Sequence, residues 1–112
     1  MITREKIKEI FLVDSAEHGL AYSNGNYKKA NRLHKKLHDL YNLAKKQNQV
    51  DIFSELLNDV NENVRIWAAI FTLKYNPEIA EMVLRKLATE SNIKMDAELT
   101  LKLWQEGKLE LL

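Results

Sequence analysis

The stretch Glu62 to Tyr75, ENVRIWAAIFTLKY, constrains this chain more than any other. Read as a helix, it carries two overlapping apolar rows. Val64, Trp67, Ala68, Phe71 and Tyr75 make one, and Ile66, Ala69, Ile70 and Leu73 make the other. Steps of three and four are the spacing of a helix face and not of a strand. A surface helix has one apolar stripe to bury, so a helix apolar on nearly every side must be wrapped by neighbours. The segment predicts the central helix of an all-α domain.

The same periodicity finds the neighbours. A first helix is expected from about Thr3, a plausible N-cap, to Ser23, with Ile7, Ile10, Phe11, Val13, Ala16, Leu20 and Ala21 as its apolar positions. Gly25 offers a left-handed stop and Asn26 a cap for the next helix. There Tyr27, Ala30, Leu33, His34, Leu37, Leu40, Tyr41 and Ala44 form one continuous stripe. A short third helix spans about Val50 to Asn58, and Asn61 caps the central one. Asn76-Pro77-Glu78 is a strong helix start, leading to a packed face of Ile79, Ala80, Val83, Leu84, Leu87 and Ala88. The sixth helix runs from about Ile93 to Gln105, with Gly107 as its C-terminal cap.

Only three Gly and one Pro occur in 112 residues, so the breaks between these helices are short. Short breaks force successive helices antiparallel, giving three hairpins in one domain, 1–112. One helix apolar on most sides favours stacking of those hairpins over a four-helix bundle. A stack this short needs polar end caps, and the first helix and the tail Lys108 to Leu112 are the candidates. Either could instead be a dimer surface, so monomer and homodimer both stay open.

Several chemistries fall away. The chain has no cysteine, which removes disulfides, thiolate metal sites and cysteine nucleophiles. No stretch approaches the roughly 18 apolar residues of a membrane span. The N-terminus is charged throughout and lacks the apolar core of a signal peptide, so a cytoplasmic protein is expected.

Residues Leu56 to Ala69, LLNDVNENVRIWAA, resemble the turn and second helix of a HEAT repeat: a leucine pair, a short acidic turn, then Val-Arg and a pair of alanines. In such repeats the acid and the arginine tie neighbouring turns together, which implies structural roles for Asp59 and Arg65. The chain also resembles a bacterial family of unknown function, the one numbered two thousand and nineteen. That likeness rests on Ala21 to Gly25 leading into Ala30-Asn31, on Val64-Arg65 with Ala68-Ala69, and on Asp96-Ala97 running to Trp104 and Gly107. It implies a short HEAT- or armadillo-like α-solenoid and no established activity. Some small helical-repeat proteins of this kind act as immunity proteins against secreted toxins, an analogy of class only.

Candidate chemistry is sparse. His34 and His38 lie one turn apart and could share a metal, with His18 and Asp14 completing the set, but the lysine-rich setting disfavours a divalent cation and a packed histidine is the commoner explanation. Asp14, Glu17 and Asp96 are candidate acids, each with an ordinary account as a solvated residue or one near the positive end of a helix dipole. No phosphate loop or nucleophile motif occurs, so neither a cofactor nor enzyme activity is expected. Trp67, Phe71, Tyr75 and Trp104 have core spacing, whereas Tyr22, Tyr27 and Tyr41 suit a half-wet surface.

Charge is the main surface signal. The net charge is +1, yet Lys28 to Val50 holds seven bases against Asp39 alone, while eleven acids face seven bases from Asp51 onward. Lys28, Arg32, Lys35 and Lys36 fall at helical steps and form a basic face. The expected function is non-enzymatic protein recognition, with blockade of a toxin as its sharpest form. The alternative is contact with nucleic-acid phosphates through the basic helix.

Overall fold

A computed structural model describes residues 2–109 of the chain. Six helices follow in order: α1 (Arg4–Ser23), α2 (Tyr27–Lys46), α3 (Asp51–Ser54), α4 (Glu62–Thr72), α5 (Pro77–Glu90) and α6 (Lys94–Gln105), and no strand occurs among the described residues. Of the tail expected to cap one end, residues 110–112 lie outside the described ones, while Leu109 packs half-buried against the core.

The helix starts are made by the expected side chains. Thr3 accepts a hydrogen bond from the Lys6 N–H at 3.1 Å, and Asn26 accepts from the Lys29 N–H at 3.3 Å. Asn61 accepts from the N–H groups of Asn63 and Val64 at 2.8 and 3.3 Å, and Asn76 accepts from that of Ile79 at 3.5 Å. Each replaces a partner that the first turn of a helix lacks. Gly25 and Gly107 both take a positive φ, +76° and +71°, beyond the ends of α1 and α6.

Two helices are shorter than their apolar pattern predicts. α3 holds four residues, and the chain continues to Asn58 in turns bonded i to i−3, such as Leu56 N to Phe53 O at 3.1 Å. The Ser54 hydroxyl donates to the Asp51 carbonyl at 2.6 Å and so competes with the helical ladder. α4 stops at Thr72 because Pro77 pushes Asn76 out of the helical region, to φ −147°, and residues 73–75 turn before it. Tyr75, expected in the core, is 58% exposed as a result.

Antiparallel pairing of α1 and α2 shows in the residues that meet. Tyr22 faces Tyr27 with ring centroids 5.6 Å apart, Glu17 pairs with Lys29 at 3.7 Å, and Asp14 with Lys36 at 3.5 Å. α4 packs against α1, α3 and α5, and α5 in turn against α6. The central helix is therefore wrapped as expected, with Val64, Ile66, Trp67, Ala68, Ala69 and Phe71 all buried. At Phe71 four elements converge: its ring lies 5.9 Å from Phe11, 4.8 Å from Tyr41 and 5.1 Å from Phe53.

The inner face of α1 departs from the apolar reading. Ile7 and Phe11 are buried as expected, but the row continues through Asp14, Ser15 and Gly19, and it is Val13 and Leu20 that face solvent. The Ser15 hydroxyl donates to the Phe11 carbonyl at 2.6 Å, which satisfies it without a tertiary partner. Gly19 lets α1 lie against the Asn63 side chain of α4, which a Cβ there would overlap. Ile79, expected on the packed face of α5, is exposed, and Tyr41 is buried with the apolar stripe of α2 and not half-wet at the surface.

Candidate functional site

An open groove of about 380 Å³ runs over α4 between α1 and α6. Each helix lends one face to it. α4 supplies Asn63, Ile66, Trp67 and Ile70 as floor; α6 supplies Asp96, Leu99 and Thr100, with Ile93 just before its start; α1 supplies His18, Gly19, Tyr22 and Ser23; and α2 adds His34. All follow the three-and-four step of a single helix face. Tyr22 and Leu99 stand on opposite walls and are 55% and 56% exposed, so the rim is apolar as well as open. The volume lies at the small end of the range for ligand sites, room for one or two side chains and too little for a helix.

Where α1 and α2 border the groove, the three histidines of the chain gather around Trp67. The rings of His18, His34 and His38 lie 5.1, 5.4 and 5.8 Å from its indole, each edge to face. The Trp67 Nε1–H donates to His18 Nδ1 at 3.4 Å. A neutral imidazole that accepts at Nδ1 holds its proton on Nε2, so this bond sets the His18 tautomer. Burial lowers the pKa of all three; the neighbouring His34 lowers those of His18 and His38 further, opposed by the charges of Asp96 and Asp39 respectively. His38, not His34, is the packed histidine of α2, and its Nδ1 has no hydrogen-bond partner.

The four residues weighed as a metal set, and disfavoured by their lysine-rich setting, do not come together. His34 and His38 are 4.4 Å apart between centroids, but His18 lies 6.2 Å from His34 with its Nδ1 committed to Trp67, and Asp14 turns to Lys36. Among the described residues no group of three His, Asp or Glu side chains is placed to hold a metal ion. The candidate acids separate too: Asp14 meets Lys36, Glu17 meets Lys29, and Asp96 alone lines the groove.

The basic face divides in two. Lys28, Arg32, Lys35 and Lys36 are all exposed on α2, but Lys35 pairs with Asp39 at 3.2 Å and Lys36 with the buried Asp14 at 3.5 Å. Lys28 and Arg32 have no ion-pair partner among the described residues. Lys36 is thus partly a structural residue, because no hydrogen bond reaches Asp14 Oδ2.

Asp59 and Arg65 act close to home. Asp59 accepts from the Asn61 N–H at 3.0 Å and shapes the turn into α4, while Arg65 pairs with Glu62 at 4.0 Å within α4. Of the groove's residues, sequence reasoning singled out His18, Tyr22, His34 and Asp96 but missed Gly19, Asn63 and Thr100, whose types carry no ligand signal of their own. No described helix is long and apolar enough to cross a membrane. No family model matches the chain, and neither a curated protein nor a solved structure matches it.

Proposed function

We propose that this protein is a non-enzymatic recognition module that binds another protein, and that the groove over α4 is its binding face. The observation that carries this reading is the pair of exposed apolar residues, Tyr22 of α1 and Leu99 of α6, that line an open cleft with a packed floor. Exposed aromatic side chains with apolar surface beside them, at the mouth of a preformed cleft, mark surfaces of protein contact. The pairing of α1 with α2, α3 with α4 and α5 with α6, with α4 in contact with both α1 and α5, supports a stack of three hairpins of the HEAT-like kind. Its sharpest biological form is an immunity protein of the bacterial cytoplasm that occludes a toxin's active cleft.

The test uses one partner isolated from native cells and then purified, with its affinity measured against two variants. Tyr22→Ala with Leu99→Ala removes the rim and is expected to weaken binding at least about tenfold. Lys28→Glu with Arg32→Glu reverses the unpaired part of the basic face and leaves that affinity within about threefold. The opposite pattern rejects the groove. For the immunity form, failure of the protein to rescue cells from a toxin encoded beside it removes the idea.

A second reading keeps the basic helix as a phosphate-binding surface, supported by the unpaired charges of Lys28 and Arg32. It requires DNA or RNA affinity that falls steeply with salt and is lost in the Lys28→Glu, Arg32→Glu variant. Affinity unchanged by that variant rejects it.

A further inference from the structure

We infer that the groove receives a basic side chain, an arginine or a lysine, presented by a segment of the partner protein, and that Asp96 takes up its charge. The inference rests on the groove being a protein-recognition site and names the chemistry that site selects. Apart from the imidazoles, Asp96 is the one titratable carboxylate or cation among the groove's residues, since Lys94, two positions earlier on α6, is not one of them. Asp96 is exposed and has no ion-pair partner among the described residues. It lines the groove together with His18 of α1, and its charge opposes the lowering of that imidazole's pKa. An acid in the first turn of a helix also complements the helix dipole, which accounts for the residue type at this position but not for an unpaired carboxylate on the wall of a cleft.

The remaining chemistry agrees. Thr100, one turn further along the same wall and mostly buried, donates its hydroxyl proton to the Asp96 carbonyl at 2.8 Å, so its oxygen is left able only to accept. Two acceptors thus lie one turn apart on α6, with the apolar side chains of Leu99 and Ile70 beside them. A guanidinium or ammonium on a hydrocarbon stem satisfies both parts at once, burying its stem while its charged head stays at the wet rim. An acidic side chain would meet the Asp96 carboxylate instead and be repelled.

The probe is a blocked Leu-Arg-Leu peptide, titrated into the full chain and followed by the Trp67 indole and the Gly19 and Thr100 amide resonances. Its comparison peptides carry citrulline, the same shape without charge, or glutamate in place of arginine. The expected result is saturable shifts at the groove, with arginine binding about three- to fivefold tighter than citrulline, as an exposed ion pair allows. That preference should vanish in Asp96→Asn, which keeps the side chain's shape. Equal binding of arginine and citrulline at the groove overturns the inference while leaving the groove as a recognition site. So does shifting of the same resonances when the protein alone is concentrated, which would make a second copy the occupant. Absence of groove shifts with every peptide overturns it as well; failure of the recognition reading itself is seen separately, in a purified partner indifferent to the Tyr22 and Leu99 variants.

Discussion

The indole Nε1–H of Trp67 donates to Nδ1 of His18 across 3.4 Å, joining the central helix to α1 at the edge of the groove. One bond therefore ties a core residue to a wall residue and fixes which imidazole nitrogen carries the proton. Replacing Trp67 with Phe keeps a ring against Phe71 and removes the donor. The variant is expected to lose about 1–2 kcal/mol from the bond and part of the burial. Chemical denaturation measures the loss, and ¹⁵N spectra of His18 should show the two neutral tautomers mixing. A tautomer ratio unchanged from wild type would refute the role given to this bond.

Acid should weaken the fold through the histidine cluster. His18, His34 and His38 have folded-state pKa values below the ordinary 6.5, chiefly because burial disfavours the charged ring. Between the lowered values and 6.5 the unfolded chain binds more protons than the folded one. The stabilisation is complete above about pH 6.5 and is lost as pH falls through the folded-state values. Thermal midpoints taken from pH 7.5 to 5 should fall across that window, and His38→Gln should flatten the fall most, because His38 is the buried member. A profile that is flat in wild type contradicts this account.

Lys36 is expected to matter for stability as much as for surface charge. Its ammonium, 3.5 Å from Asp14 Oδ2, is the one ion-pair partner among the described residues of a carboxylate oxygen that no hydrogen bond reaches. Lys36→Ala should cost about 1–3 kcal/mol, the penalty for a buried acceptor left alone, and Lys35→Ala well under 1 kcal/mol. Urea denaturation of the two variants gives the comparison directly. Equal effects would mean that Asp14 finds water or another partner.

Gly19→Ala sets two effects against each other. Alanine gains about 1 kcal/mol of helix propensity, while its methyl group would overlap the Asn63 amide and force it aside, an overpacking cost of about 1–3 kcal/mol. The net expectation is a loss of up to about 2 kcal/mol. Asn63→Ala in the same chain should relieve it, and a double-mutant cycle reads the coupling.

At the start of α4 the Asn61 side chain accepts from two N–H groups, whereas Asn76 reaches a single one at 3.5 Å before α5. Asn61→Ala is accordingly expected to cost about 1–2 kcal/mol and Asn76→Ala about 0.5 kcal/mol. Thermal melts of the two would settle the order.

The sequence alone determined whatever depends on residues within a turn or so of each other. Thr3, Asn26, Asn61 and Asn76 could be read as caps, and Gly25 and Gly107 as stops, because their partners lie within a few positions along the chain. The wrapped helix around Trp67 was legible because residues apolar on two overlapping rows leave it no solvent face. Tertiary structure alone decided which side of α1 turns inward. Its inner row holds Asp14, Ser15 and Gly19, residues tolerated there because a lysine on α2, a carbonyl of α1 itself and a closely approaching Asn63 on α4 satisfy or require them. The groove and the histidine cluster belong to the same category. Each draws on three or more helices, and the distance from His18 to Trp67 or from Tyr22 to Leu99 is set by how those helices cross, which no local pattern encodes.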